Sequence, residues 1–387
     1  MIKKFLPFLF ILLLIGCRPS TKSTEYFGQT NLDTIPVIFA PELISIEGRL
    51  EHGLSFSPDS RELAFGILNK DDFSGKIYYS KKVDDNWTEP IVFEPLKNES
   101  VYLPYFSPDG KSILYAQSRP DTNNVFTDIW ILKKNNGYWI QPEKMDSPIS
   151  TLTRESSACM TLDNTIYFSS NRDGNGLADL YFSPIENGEY LDAERIDSIC
   201  TVRDEESIFV APDKNYIIFS RYATNENGPD LFISYQDSKR NWTKPCLLDS
   251  TINTSNWERR PFVSIDNKFL FFTRMTFNQT GIAESDIYWV STQKVFKPYV
   301  CNSLPDITVK VGKSFEVSIP ADYFKDIDDK QLNLSINHYD LDWLEFDNKS
   351  MKLSGLPTLI GDFELIFMAV DKHFNKTENK IKITVIK

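Results

Sequence analysis

Short apolar runs separated by polar turns recur along most of the chain. In residues 103–115, Tyr105 and Phe106 end one run, a Ser-Pro-Asp-Gly turn follows at 107–110, and residues 113–115 form a second run. Proline fixes φ at the second turn position, and glycine tolerates a positive φ at the fourth. No long segment shows an apolar period of 3.6 residues. The pattern predicts an all-β protein built from hairpins.

This hairpin recurs at regular intervals. Its turn aspartate is found five times, with intervals of 50, 54, 50 and 53 residues, at Asp59, Asp109, Asp163, Asp213 and Asp266. Each copy has an aromatic residue after the turn and a third apolar run further on. Four copies add a fourth segment, at 87–93, 138–145, 190–196 and 242–248. Four strands per unit at this period are typical of a β-propeller blade.

The ends of the repeat region predict how the ring closes. The fifth copy has no fourth strand at 294–299, whereas residues 36–43 look like an isolated one. Pairing the two would remove exposed strand edges. We therefore expect a propeller over residues 36–297, with five blades favoured. A sixth blade, which is the alternative, would need about 45 further residues.

The Ser-Pro-Asp-Gly turn followed by an aromatic strand resembles the Pro-Asp (WD40-like) propeller repeats of the TolB-like family. The hairpin at residues 171–176 is similar to one seen in many such lipoproteins. Copies three to five depart from Pro-Asp-Gly, reading Leu-Asp-Asn, Pro-Asp-Lys and Ile-Asp-Asn. TolB-like propellers usually have six blades, so a count of five departs from the family.

Residues 300–387 have a different character, with a boundary near Pro298. They resemble the cadherin-like, Ig-like domain of dystroglycan type, which implies a sandwich of about seven strands and a role in adhesion, spacing or carbohydrate contact. Asp326, Asp328 and Asp371 are candidate calcium ligands at one end of this sandwich. The alternative is that they are solvated turn residues, because the full cadherin-type ligand motifs are not present. No other cofactor is expected.

The first 17 residues look like an export signal. Lys3 and Lys4 precede the apolar run 5–15, which is too short to span a bilayer. The run ends in Leu-Ile-Gly-Cys, which resembles a bacterial lipobox and implies lipidation of Cys17. An ordinary signal peptide is the alternative. We expect a flexible tether over 18–35 and a lipid-anchored protein of the cell envelope, at the outer membrane, facing the periplasm or the surface.

Charge and cysteine content limit the partners. The formal net charge is -12, which argues against nucleic acid as a ligand. The three histidines have no zinc-type spacing, and no glycine-rich phosphate loop is found. Four cysteines remain after Cys17, and Cys200 with Cys246 is the disulfide pair that we would test first.

One set of charged residues recurs in register. Eight residues before the turn aspartate, four copies carry a glutamate, so these side chains are predicted to ring one mouth of the channel. Arginines adjoin them or follow the second strands. The candidate ligand-binding residues are Glu51, Glu155, Glu205, Glu258, Arg154, Arg203, Arg259, Arg172, Arg221 and Arg274. Alternatively, each glutamate caps a neighbouring blade through backbone amides or arginine.

These features predict a non-catalytic binding or scaffold lipoprotein whose propeller takes an envelope protein or a glycan as partner. The alternative is a carbohydrate-active enzyme of glycosidase type, with carboxylates at the channel. The carboxylates of a catalytic site should be unique to particular blades. Here the acidic residues recur at equivalent positions, which argues against an enzyme. A purely structural envelope protein is a third reading.

Overall fold

A computed structural model describes residues 25–30, 33–120, 126–174, 176–222, 228–279, 281–337 and 341–387. In these residues the chain forms strands and three short 3-10 turns, Glu25–Gly28, Glu94–Leu96 and Thr292–Lys294. The all-β prediction is confirmed. Among the described residues, no helix has the length and apolar character that a membrane span requires.

Residues 37–291 form five antiparallel units in the arrangement of a β-propeller. Strand β1 is Val37–Ile38. The first unit contains β2 (Leu50–Phe56), β3 (Glu62–Leu68), β4 (Gly75–Val83), β5 (Asn86–Trp87) and β6 (Ile91–Val92). The second contains β7 (Val101–Phe106), β8 (Ser112–Ser118), β9 (Thr127–Asn135), β10 (Tyr138–Trp139) and β11 (Glu143–Lys144).

The next three units repeat this pattern. The third contains β12 (Glu155–Met160), β13 (Ile166–Ser170), β14 (Asp179–Ser183), β15 (Ile185–Glu186), β16 (Glu189–Tyr190) and β17 (Glu194–Arg195). The fourth contains β18 (Glu205–Val210), β19 (Tyr216–Tyr222), β20 (Pro229–Tyr235) and β21 (Cys246–Leu247). The fifth contains β22 (Trp257–Val263), β23 (Phe269–Asn278) and β24 (Gly281–Ser291).

The innermost strands β2, β7, β12, β18 and β22 contact one another in that order, and β22 returns to β2. The fifth unit takes its outer strand from the N-terminal end of the chain. Val37 and Ile38 pair with Trp289 and Tyr288 of β24. Phe39, which is buried, follows directly and donates its amide to the Ile287 carbonyl at 2.8 Å. The last unit therefore has no free edge along β24.

Part of the predicted tether packs against the propeller. Tyr26 is buried, with ring centroids 5.1 Å from Phe269 and 5.5 Å from Phe56. Phe27 stacks on Trp87 at 4.6 Å. Residues 25–30 are thus held in place by aromatic contacts, while residues 18–24, 31 and 32 lie outside the described part of the chain.

The C-terminal domain packs two sheets around a second core. Its strands are β25 (Tyr299–Val300), β26 (Ile307–Lys310), β27 (Phe315–Ser318), β28 (Phe324–Lys325), β29 (Asn333–Asn337), β30 (Leu344–Asp347), β31 (Lys352–Gly355), β32 (Gly361–Val370) and β33 (Lys376–Ile386). One sheet has the order β26-β33-β32-β29 and the other β27-β31-β30. Tyr299 stacks on Tyr235 of the propeller with ring centroids 4.3 Å apart.

Candidate functional site

Every innermost strand of the propeller contains a β-bulge at the same position. The strand register shifts there, and one residue adopts a left-handed backbone. These residues have φ between 51° and 74° and are Gly53, Leu103, Ser157, Ser207 and Arg260. Such a φ costs an ordinary residue about 1–2 kcal/mol, so four of the five bulges store backbone strain. Strain of this kind is concentrated at functional sites.

The bulges meet at the channel axis. A Cβ built on Gly53 would lie 3.3 Å from Leu103 Cδ2 and 3.4 Å from Arg260 Cβ. The free space there is about 30 Å³ and is lined by bulge residues and their neighbours. This constriction divides the channel into two mouths, one at the start of the innermost strands and one at their turn ends.

The mouth at the strand starts holds a group that we call the arginine cluster, which consists of His52, Arg154, Glu206, Arg259 and Arg260. Arg260 Nη1 donates to Ser207 Oγ at 2.8 Å, and Arg260 Nε donates to His52 Nε2 at 3.1 Å. Arg259 forms a salt bridge with Glu206, and Arg260 Nη2 lies 3.9 Å from Glu206 Oε2. The bulges turn these side chains toward one another.

Positive charge predominates in this cluster. Three guanidinium groups face the carboxylates of Glu206 and the neighbouring Asp204. Burial lowers the pKa of Arg154, Arg259 and Arg260, and mutual repulsion lowers it further for the last two. Burial and the same arginines hold the pKa of His52 well below its ordinary value, so His52 is neutral at physiological pH. An anion bound here would offset the cost of burying unpaired positive charge.

Two buried hydrogen-bond donors of the cluster have no acceptor among the described residues. One is Arg259 Nε. The other is Nδ1 of His52, which must carry the proton because Nε2 accepts from Arg260. A buried donor without an acceptor costs about 1–3 kcal/mol. Both donors therefore favour a ligand that supplies acceptor oxygens.

An aromatic surface adjoins the cluster. Arg259 lies over the ring of Trp257 at 5.9 Å, and Trp257 contacts Tyr222 at 5.6 Å and Phe277 at 4.4 Å between ring centroids. Phe277 is exposed. Trp257 packs directly on the backbone of Gly228, where any Cβ would collide with the indole. Aromatic faces beside charged groups are suited to ligands with both apolar faces and polar edges.

The four predicted rim glutamates lie elsewhere. All of them are buried, and they are bonded mainly to the loop that precedes their own strand. Glu205 accepts from Thr201 N at 3.1 Å and Thr201 Oγ1 at 2.5 Å. Glu258 accepts from the amide and hydroxyl of Thr254 in the same way, and Glu155 from those of Thr151. Glu51 accepts from Ile46 N at 3.4 Å. These buried carboxylates bond loop amides, loop hydroxyls and arginines, which agrees with the alternative interpretation of the repeated glutamates.

The predicted arginines lie in three different settings. Arg221 and Arg274 each donate Nε to their glutamate at 2.7 Å and Nη2 to a loop carbonyl, while Arg172 lies 3.7 Å from Glu155. They also stack over aromatic rings of their own unit. Arg203 is exposed and donates to the Tyr222 carbonyl. Only Arg154 and Arg259 of the predicted set belong to the arginine cluster, which sequence reasoning missed as a unit.

The calcium candidates do not assemble a complete ligand set. Asp326 and Asp328 adjoin each other, and each has one buried oxygen without a partner in the described structure. Burial and the neighbouring Asp328 raise the pKa of Asp326 to about 7. Asp371 is engaged by His373 N, Asn375 N and Asn375 Nδ2. Among the described residues, these three carboxylates are not within metal-ligand distance of one another as a group.

Three different potential metal ligands do lie close together, but protein groups already bond to them. Asp179, Cys200 and Glu205 place ligand atoms within 4.8 Å of one another. Asp179 pairs with Arg195 at 2.9 Å, and Cys200 Sγ accepts from Leu180 N at 3.2 Å. The four described cysteines are free thiols, so the Cys200–Cys246 pair is not formed. Cys17 lies outside the described residues.

Comparisons with known proteins concern the two parts of the chain differently. A family model described as the alpha-dystroglycan third Ig-like domain matches residues 294–386, which confirms the resemblance of the C-terminal domain. No curated protein sequence matches the chain.

Several solved structures are similar in shape. Prolyl endopeptidases are 9% identical over 86% of this chain and 40% of their own, with a TM-score of 0.37. The catalytic domain of a Coprinopsis cinerea GH62 alpha-L-arabinofuranosidase is 9% identical over 67% and 97%, with a TM-score of 0.43. An oligogalacturonate lyase in complex with manganese is 12% identical over 64% and 66%, with a TM-score of 0.36. The chain thus spans less than half of the peptidase.

These similar structures are enzymes and therefore do not support the prediction of a non-catalytic protein, while at 9–12% identity the similarity concerns the fold alone. That prediction rested on the repetition of acidic residues around the ring. The repeated glutamates hold loops, so their repetition says nothing about the chemistry of the channel mouth.

Proposed function

We propose that the arginine cluster binds a carboxylate of an acidic glycan and that the protein is a carbohydrate-active enzyme of the cell envelope. The observation that carries this proposal is the convergence of three guanidinium groups with two buried donors that lack acceptors. Guanidinium groups bind carboxylates through paired, charge-assisted hydrogen bonds. The ligand would complete the hydrogen bonding of His52 and Arg259.

The aromatic neighbours favour a sugar over a simple inorganic anion. Trp257 and Phe277 offer apolar faces next to the guanidinium of Arg259. A pyranose ring has apolar C–H faces that pack on such rings, while a uronic acid carboxylate projects from its edge. An acidic sugar would therefore contact both parts of the site at once.

The rest of the proposal concerns setting and architecture. We propose a closed propeller of five blades, of the TolB-like Pro-Asp type, that is anchored to the outer membrane through a lipid on Cys17. In this arrangement the Ig-like domain acts as a spacer or as a second contact with the glycan. The envelope would supply acidic glycans to the channel mouth.

The test is binding and cleavage of uronic acid oligosaccharides by the purified protein, with neutral oligosaccharides of equal length beside them. We expect the acidic series to bind more tightly, and Arg259→Ala to weaken its binding about tenfold or more. Arg203→Ala is the matched control, because Arg203 is exposed and its guanidinium donates to the backbone carbonyl of Tyr222. Equal affinity for acidic and neutral sugars would contradict the assignment of the ligand.

Cleavage is followed through new reducing ends and through the ultraviolet absorbance of unsaturated products. Release of fragments from the acidic series alone is the expected result. Tight binding without any product would remove the enzymatic part of the proposal and leave the ligand class intact.

A further inference from the structure

The opposite mouth of the channel contains a cavity of about 210 Å³ at the turn ends of the innermost strands. Its wall is largely aromatic and includes Tyr26, Phe56, Tyr105, Phe209, Tyr216 and Phe262. The constriction at the bulges separates this cavity from the arginine cluster. It is therefore a distinct site with different chemistry.

Four polar side chains in this wall already have hydrogen-bond partners. Tyr105 Oη donates to the Met160 carbonyl at 3.2 Å, and Tyr216 Oη donates to Asn267 Oδ1 at 2.6 Å. Ser57 and Ser264 donate to their turn aspartates at 2.6 and 2.7 Å. A polar ligand would find few free partners there, whereas apolar cavities take up apolar molecules readily.

The rim of the cavity is also apolar. Leu162 is 66% exposed and Ile265 is 52% exposed, and the turn prolines Pro58, Pro108 and Pro212 stand beside them. Large apolar side chains held in water at the entrance of an apolar cavity indicate contact with an apolar partner. The rim and the wall together form one continuous apolar path from the surface.

The sequence predicts a lipid anchor close to the turn ends of the innermost strands, where this cavity lies. Tyr26 forms part of the cavity wall and lies nine positions after Cys17 in the sequence. An extended chain of that length reaches about 30 Å at most. If Cys17 is lipidated as the sequence predicts, the turn face is kept within that distance of the bilayer.

We propose that this cavity binds the alkyl chain of a lipid. The chain enters between Leu162 and Ile265 and lies against the aromatic wall, where its burial contributes through the hydrophobic effect. This inference does not depend on the glycan proposed for the arginine cluster.

The test uses the purified full chain and a fatty acid with a photoreactive diazirine on its alkyl chain. Labelling is expected at the cavity wall, identified by peptide mass spectrometry, and excess unlabelled fatty acid should suppress it. Leu162→Arg and Ile265→Arg place a charge at the entrance without altering buried residues, and each is expected to reduce labelling about tenfold, or 1.4 kcal/mol.

Leu247→Arg is the matched control, because Leu247 is a similarly exposed apolar residue on the outer strand β21. Thermal unfolding of each variant verifies that the fold is retained. Equal labelling of the rim variants and the control, or adducts spread over the surface, would overturn the proposal. A second arm uses a diazirine phospholipid in vesicles, and labelling of the wall there identifies the bilayer rather than free fatty acid as the source.

Discussion

At the scale of single residues, each buried glutamate of the propeller works with a small set of partners. Glu205 is the clearest example, since it accepts hydrogen bonds from Thr201 and Arg221 while Arg221 reaches the Ile199 carbonyl. Arg221 also lies over the ring of Phe232 at 4.8 Å. The group joins a loop, two strands and an aromatic pair.

Removal of this glutamate should destabilise the protein. Glu205→Ala leaves the half-buried Arg221 without its carboxylate, and breaking such a pair from one side costs about 3 kcal/mol. The expected result is a lower urea midpoint. Glu194→Ala, at an exposed position of β17, is the control and should have little effect. A shift no larger than that of the control would show that the group contributes little.

The carboxyl of Asp326 predicts a pH-dependent stability. Its pKa of about 7 lies above the ordinary value, so the folded state favours the protonated form. The associated stability is present in acid and is lost as the pH rises through about 7. Asp326→Asn should therefore raise the melting temperature at about pH 8 and change it less at about pH 5. An equal change at both pH values would contradict this assignment.

At the scale of elements, the repeated bulge is the main feature that the sequence did not reveal. Glycine usually signals a left-handed backbone, but only Gly53 does so here, and Leu103, Ser157, Ser207 and Arg260 give no such signal. The surrounding ring imposes the conformation on them. By contrast, the glutamate partners were visible, because a threonine four residues earlier accompanies Glu155, Glu205 and Glu258.

Relief of the strain at one bulge should stabilise the protein. Ser157 has a φ of 51°, and Ser157→Gly removes the steric cost of its Cβ, for an expected gain of about 0.5–1 kcal/mol in the free energy of unfolding. Ser156→Gly is the neighbouring control and should destabilise, because Ser156 is a strand residue whose Oγ lies 3.0 Å from Ser169 Oγ. Chemical denaturation distinguishes the two, and a loss of stability in Ser157→Gly would refute the strain.

At the scale of the whole molecule, hairpins, third strands and the short fourth strands followed from the periodicity of the sequence. The packing of Tyr26 and Phe27 did not, since two aromatic residues in a polar segment form no period. The arginine cluster also escaped prediction. His52, Glu206 and Arg259 each stand seven residues before the turn aspartate of their unit, but the residue type differs from unit to unit and forms no motif. These side chains meet only once the ring is formed.

Closure by the N-terminal strand should stabilise the entire propeller. Phe39 is fully buried, with its ring 5.1 Å from Phe271 and 5.4 Å from Trp289. Phe39→Ala is expected to cost about 3–5 kcal/mol and to move the unfolding of the whole propeller, measured by urea titration of tryptophan fluorescence. Ile38→Ala, which changes a more exposed neighbour, is the control. If Phe39→Ala produced a separate transition at low urea while the main transition kept its midpoint, the closure would stabilise only the strands around it.

The same closure also constrains the order in which the chain can fold. Ser45 Oγ donates to the Ile287 carbonyl, 242 residues further along the chain. Strand β1, which precedes Ser45, is synthesised long before its partner β24. That strand has no partner until the last propeller unit has been made, so its edge stays unpaired while the preceding units are synthesised. Contacts so distant in sequence form slowly. A chaperone that shields residues 37–39 until release would therefore protect this protein against misassembly.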